Sequence, residues 1–322
     1  MVASIGGRRA EALGGTADAA APADVRKDPL TAATSLVVPR WDVAKAANPA
    51  GVPLELPPGS TPCPFCPEQM EDPSTRAGEE TARAGDDGNG RPWSAMSLRN
   101  RWPNTTDPDA AEVVVLSDDH GRHLLDMSLD DAEVAVGLLG DRAEAQRRRG
   151  LHPLVFVNHG VNAGSSQPHA HGQVLGLQVR DPLAVRELPA LAEGHCVLCV
   201  PVRDGALVAQ LDGVAIEMPV APTVDFEQTV RLDEHGVWDP RAVARGVGVA
   251  LRALWSVTGP VAYNLLFHLD GHVHVHVTPR SARHSGYELA GIATCYVDPD
   301  DAVERLARAA SAEARARRSD AA

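Results

Sequence analysis

The chain has 322 residues, 44% of them apolar, and a formal charge of −13 from 30 Lys and Arg against 43 Asp and Glu. That length suits two domains of ordinary size, and the acidic balance excludes a broad surface for tracking long nucleic acid or an anionic membrane. No run approaches 18 uninterrupted apolar residues, and Glu11 and Asp18 fall where an export signal needs its apolar core, so a cytoplasmic, non-membrane protein is expected.

In chain order, residues 1–23 are rich in Ala and Gly without an apolar period, which predicts a loose tail. Residues 71–92 are charged and Gly-rich and predict a long surface loop. Strands are expected from Val113, Leu154, Val261 and His272, where short β-branched or alternating runs begin. Three helices are expected. The first is capped by Ser128 and reaches Arg149, the second opens at Asp239-Pro240 and stops at Gly259, and the third opens at Asp298-Pro299. Residues 311–322 are polar and are expected to be a second loose tail.

Set side by side, these pieces repeat. Cys63-x-x-Cys66, a strand, Asp118-Asp119-His120-Gly121, a helix, a strand containing Asn158, and His169-Ala170-His171 occur in that order. So do Cys196-x-x-Cys199, a strand, Asp233-Glu234-His235-Gly236, a helix, a strand containing Asn264, and His272-Val273-His274. The halves differ by insertions and not by order, which predicts a duplicated α+β fold of two antiparallel-sheet domains, 24–180 and 181–310.

Five cysteines are present, four of them in two tight pairs, and in a large chain without an export signal such pairs point to metal binding or redox chemistry. Structural zinc takes four N or S ligands in a tetrahedron, and a C-x-x-C turn supplies two. The first site is therefore assigned to Cys63, Cys66, His120 and His169, and the second to Cys196, Cys199, His235 and His272, with His195 as a competing ligand. Four protein ligands leave no open position, so both ions would be structural. Cys295 reads as a buried, inert thiol.

Residues at i and i+2 on a strand share a face, which would align His169, His171 and Gln173. With His169 tied to zinc, His171 is free and rigidly placed, and a neutral imidazole whose other nitrogen donates to a carbonyl is a good nucleophile towards phosphorus. Gly164, Ser165 and Ser166 can offer backbone N–H groups and hydroxyls to phosphate oxygens. Gln173 can exchange hydrogen bonds but cannot act as an acid, which favours transfer between phosphate groups over hydrolysis.

The run Ser165-Ser166-Gln167-Pro168-His169-Ala170-His171-Gly172-Gln173 resembles the active-site strand of the galactose-1-phosphate uridylyltransferase family, a branch of the histidine-triad superfamily. Further segments resemble that family at 26–31, 63–67, 98–103, 116–121 and 286–306. The resemblance implies two histidine-triad-like halves and a two-step exchange through a covalent nucleotidyl-histidine. In it His171 is the nucleophile, Gln173 steadies the phosphorus-centred intermediate, and Ser165 and Ser166 hold phosphate oxygens. Asn158 supports the nucleophile segment, Asn100 contacts the nucleotide and Arg40 stands in for early arginines. The implied reaction moves a nucleoside monophosphate between a nucleotide sugar and a sugar 1-phosphate, with an ADP-sugar phosphorylase using inorganic phosphate as the alternative, and the implied assembly is a homodimer.

Ala170 replaces the usual proline between the histidines, and the second cysteine pair is similar to the related ADP-glucose phosphorylases. The base, uridine or adenine, and the sugar are therefore open. Two other functions compete: a histidine-triad nucleotide hydrolase using His274 in the run at 272–277, and a catalytically dead, zinc-stabilised nucleotide binder.

Overall fold

The computed structural model describes residues 24–37, 54–86, 88, 90, 92–103, 105–200, 205–280 and 286–320. Arg40 and the predicted tail at 1–23 lie outside these described residues. Two short strands, β1 (Asp24–Lys27) and β2 (Thr34–Val37), come first, followed by helix α1 (Pro67–Met70). The first half continues with β3 (Glu80–Ala84), β4 (Ala95–Arg99), β5 (Ala111–Val115), α2 (Leu129–Arg148), β6 (His152–His159) and β7 (His171–Leu177). After α3 (Pro182–Glu187), the second half runs through β8 (Leu207–Leu211), β9 (Val214–Glu217), β10 (Gln228–Leu232), α4 (Pro240–Thr258), β11 (Tyr263–His268) and β12 (His274–Pro279). It closes with α5 (Gly286–Leu289), β13 (Ile292–Cys295) and α6 (Pro299–Asp320).

Ten strands form one antiparallel sheet in the order β3-β4-β5-β7-β6-β11-β12-β10-β9-β8. Read inward from either edge the order is the same, so the expected duplication is present, with the halves joined where β6 pairs with β11. Asn158 lies opposite Asn264 in that pairing, which puts the two corresponding asparagines at the seam.

Alternation of side chains gives the sheet two unlike faces. Val155, Val157, Val174, Leu265, Val275, Val277 and Val230 point to one face and are covered by α2, α4 and α6 in a single core. Gly172 lies on that face between His171 and Gln173, where an added Cβ would come within 3.2 Å of the Phe156 carbonyl oxygen and of Val157. The helices sit where their caps predict. The Ser128 side chain accepts from the Asp131 N–H, that of Asp239 accepts from the Ala242 N–H, and Gly259 ends α4.

Three expectations change. Within the predicted loop at 71–92, residues Glu80–Ala84 form an edge strand; its charges Glu80 and Arg83 pair with each other on the solvent side, which hides a strand from a hydrophobic pattern. Helix α6 continues to Asp320 instead of loosening after 310, because the polar run is built from Ala, Glu and Arg, all strong helix formers. Residues 24–37 are grouped by sequence with the first half, but β2 pairs with β13 of the second and β1 adds on as its outer neighbour.

Candidate active site and metal centres

The opposite face carries the polar residues. His171 and Gln173 of β7 pair with Val115 and Val113 of β5, Gln173 also faces Phe156 of β6, and Asn158, Asn264, His268, His274 and His276 line up on the same side across β6, β11 and β12. Over the first half this face is covered by Phe65, Met70 and Trp93 packed on Met96, Leu98 and Val115. Over the second half it is covered by Glu187, at the end of α3, which meets the three histidines.

Cys63, Cys66, His120 and His169 converge with their ligand atoms within 4.8 Å of one another, and so do Cys196, Cys199, His235 and His272. In the first group Nδ1 of His169 lies 3.6 Å from Cys63 Sγ and 3.9 Å from Cys66 Sγ, and Nδ1 of His120 lies 3.4 Å from Cys66 Sγ. In the second, Nδ1 of His272 is 3.4 and 3.5 Å from the two sulfurs, and Nδ1 of His235 is 3.7 Å from Cys199 Sγ. Zinc bond lengths in a tetrahedron place S and N ligands about 3.6 Å apart, so both donor sets fit a four-coordinate ion. His195 is not in the second group. Burial, and then the hydrogen bond and charge of Cys63, push the Cys66 thiol up to about 11, so holding both thiolates together calls for a cation.

Each centre is oriented by the same outer hydrogen bonds. Nε2–H of His169 donates to the Ser117 carbonyl at 2.8 Å, and Nε2–H of His272 donates to the Leu232 carbonyl at 2.6 Å, leaving Nδ1 of each for the ion. Two residues on, Nδ1–H of His171 donates to the His169 carbonyl at 2.8 Å, and Nδ1–H of His274 donates to the His272 carbonyl at 2.7 Å. Strands β7 and β12 begin only at His171 and His274, so His169 and His272 precede the strands instead of lying on them.

The nucleophile positions then diverge. His171 lines a narrow cleft with Asn158, Gly160, Ser165, Gln167 and His169. Its tautomer is fixed with Nε2 unprotonated, and burial holds it below the usual imidazole range, so it is neutral at pH 7. Phe65, from between the two cysteines, packs against its ring at 5.3 Å. Among the described residues the Gln173 side-chain amide has no hydrogen-bond partner, which leaves it free for a ligand.

His274, by contrast, is completely buried, with Nε2 3.3 Å from Glu187 Oε2. Glu187 also accepts from Nε2–H of His276 at 3.0 Å and from Nδ1 of His268. Burial opposes the charge on Glu187, but the hydrogen bonds from His268 and His276 and the close approach of His274 outweigh it and hold the carboxyl far below its usual range. Nε2 of both His268 and His274 lacks a hydrogen-bond partner, and the four residues form a third group able to hold a metal ion.

The Gly164-Ser165-Ser166 turn differs in detail from its sequence reading. Gly164 turns with φ 81°, its N–H donates to the Val161 carbonyl, the Ser165 N–H donates to the Gly160 carbonyl, and the Ser165 hydroxyl donates to the Gln167 carbonyl at 2.9 Å. Those donors shape the turn, and Ser166, exposed and without a hydrogen bond among the described residues, is the one left to meet a ligand. Asn100 is not brought to His171. It lies two strands across and four residues along, roughly 16 Å by strand geometry, beside a wide groove lined by Arg76, Arg99 and Arg101. Cys295 is buried with its thiol on the Pro222 carbonyl. Sequence reading missed Phe65, Glu187 and His268, and it took His276 only as part of the alternating run at 272–277.

No family model matches this sequence. The chain is 23% identical over 330 residues to an ADP-glucose phosphorylase of Arabidopsis thaliana, covering 86% of this chain and 89% of that protein. In fold it is similar to a GalT-like protein of Arabidopsis thaliana, with a TM-score of 0.72, 20% identity and coverage of 90% and 99% of the two chains. A crystal structure of Arabidopsis thaliana ADP-glucose phosphorylase with bound ADP-glucose matches with a TM-score of 0.72, 21% identity and 89% and 98% coverage. A uridylyltransferase structure matches with a TM-score of 0.63, 24% identity and 89% and 98% coverage. The relatives are thus ADP-glucose phosphorylase and GalT-like proteins, the group to which the active-site strand points, and the α+β fold is theirs. Among the described residues no helix is long and apolar enough to cross a membrane.

Proposed function

We propose that the protein moves a nucleoside monophosphate from a nucleotide sugar to a phosphate-type acceptor through a nucleotidyl adduct on His171. The carrying observation is the contrast between two equivalent histidines: His171 presents a free Nε2 to a cleft, whereas His274 is sealed against Glu187. Nε2 of His171 attacks the α-phosphorus, the bond from phosphorus to the bridging oxygen breaks, and sugar 1-phosphate leaves with the electron pair. An oxygen of the acceptor then attacks the same phosphorus, the P–N bond breaks and neutral imidazole returns. The Gln173 amide donates to the phosphoryl oxygens, and Ser166 offers its hydroxyl and N–H.

An ADP-sugar donor with inorganic phosphate as acceptor is the preferred pair, because the curated relative is an ADP-glucose phosphorylase. A UDP-sugar with a sugar 1-phosphate is the second reading, favoured by the Gln173 position and the likeness to a uridylyltransferase. Product analysis of the purified protein with ADP-glucose plus phosphate, and separately with UDP-glucose plus galactose 1-phosphate, decides between them. Conversion of neither pair overturns the proposal.

Both Cys₂His₂ sets would hold zinc as structural ions, and the first would fix His169 and so the backbone on which His171 leans. The Glu187 group, with three imidazoles and a carboxylate, suits iron, zinc or manganese. Metal analysis should return two zinc ions per chain plus one further transition metal. The hydrolase reading through His274 loses its premise in the burial of that ring, and the inert-binder reading is disfavoured by the free Gln173 amide beside a neutral His171. Half-buried Leu154, Phe156 and Leu266, between the two centres, are where the second copy of a dimer would rest.

A further inference from the structure

Asn264 belongs to the second half, yet its side chain acts in the first. Its Nδ2 donates to the Ala163 carbonyl at 2.9 Å and to Asn158 Oδ1 at 2.7 Å. A backbone carbonyl can only accept, so the bond to Ala163 fixes which end of the Asn264 amide is nitrogen. That nitrogen has two hydrogens, and the second can be met only by an oxygen, so Asn158 must turn its Oδ1 towards Asn264. The Asn158 NH₂ then faces the other way, towards the Gly164 turn, where it lies 3.8 Å from the position a Cβ on Gly164 would take.

We propose that Asn264 is a positioning residue for the transfer reaction, setting the Asn158 amide so that it offers hydrogen-bond donors to the cleft and tying down the turn that carries Ser166. The inference rests on the function proposed above. A donor edge aimed at the cleft favours the negative charge that builds on the phosphoryl oxygens in each transfer step, whereas an inverted amide would place a carbonyl oxygen there and repel it. The geometry also gives the second half a role in the chemistry: its own nucleophile position is sealed, but its seam asparagine, directly across the β6–β11 pairing, orients the Asn158 amide that lines the cleft of the working one.

Asn264→Asp replaces the donor with acceptors, so Asn158 should invert to donate to it, and the Ala163 carbonyl loses its partner. Single-turnover formation of the His171 adduct is expected to slow by about 10 to 100-fold, part of what loss of one transition-state donor costs, with nucleotide-sugar affinity changed less than about threefold. Asn158→Ala and Asn264→Ala should combine to less than the product of their separate losses, because the residues act as a unit. A folded Asn264→Asp variant that reacts at the wild-type rate, or losses that multiply, would overturn the proposal.

The wild-type protein gives a test independent of variant folding and of catalysis. With ¹⁵N-labelled asparagine, both side-chain amide protons of Asn264 should exchange slowly with water, and those of Asn158 faster. The reverse pattern would show that the amides are not set this way. Should the wild-type protein form no adduct with any nucleotide sugar, the proposed function fails, while this exchange measurement still decides whether Asn264 pins Asn158.

Discussion

The two halves of the sheet carry the same element with different outcomes. Each has a C-x-x-C turn, a histidine whose Nε2–H meets a carbonyl, and a second histidine whose Nδ1–H leans on the first one's carbonyl. What differs is the residue two places on, Gln173 against His276, and the cover, a cleft against the buried carboxylate of Glu187. On the proposed function, the paired ligand sets and their outer hydrogen bonds are a scaffold, and chemistry is decided by what faces the second histidine.

The largest effect that could break this contrast is loss of the nucleophile. His171→Ala should lower turnover by at least about 10⁴-fold, as removal of a covalent nucleophile does. His274→Ala should still form the adduct, and a rate assay on both variants checks the pair. Removing the free amide with Gln173→Ala should slow the first step by about 10²–10³-fold, measured by rapid quench.

Much of this contrast was legible in the sequence and some was not. The cysteine pairs, the histidines after acidic residues and the order of elements were enough to find both Cys₂His₂ groups, because ligand spacing is local chemistry. Glu187 was not legible: it closes a short helix of ordinary composition, and only the folding of α3 over β11 and β12 brings it to His268 and His276. The two asparagines stood out as repeat partners, but their contact depends on the register between β6 and β11, which no local pattern encodes. Arg40, assigned from resemblance, lies outside the described residues, and Asn100, assigned a nucleotide contact, follows the end of β4 two strands across from His171.

Buried carboxylates sharpen the comparison further. In the first half Glu112, on β5, is buried where it meets Arg142 at 2.6 and 2.9 Å and Gln146 at 2.9 Å. Burial opposes its charge, but Arg142, Ser97 and Thr81 hold its carboxyl below the usual range. Glu112→Gln leaves Arg142 partly desolvated and unpaired, and should cost about 2–4 kcal/mol in denaturant unfolding.

Asp225 in the second half accepts from the Tyr296 and Val297 N–H groups at 2.8 and 3.0 Å, and burial pushes its carboxyl up to about 6. A folded-state value above the unfolded one gives stability that is full below about pH 4 and lost as pH rises through 6. Asn keeps the accepting oxygen and removes the charge. Asp225→Asn should therefore be more stable than the native chain by about 1–3 kcal/mol above pH 6, with the difference shrinking towards pH 4 in a melting series.

The claim that one half reacts and the other supports is tested most directly by peptide mass spectrometry after incubation with ADP-glucose in the absence of phosphate. One nucleotidyl group per chain on His171, discharged when phosphate is added, is the predicted result. A group on His274, or product formation with no modified histidine on the reaction path, would contradict it.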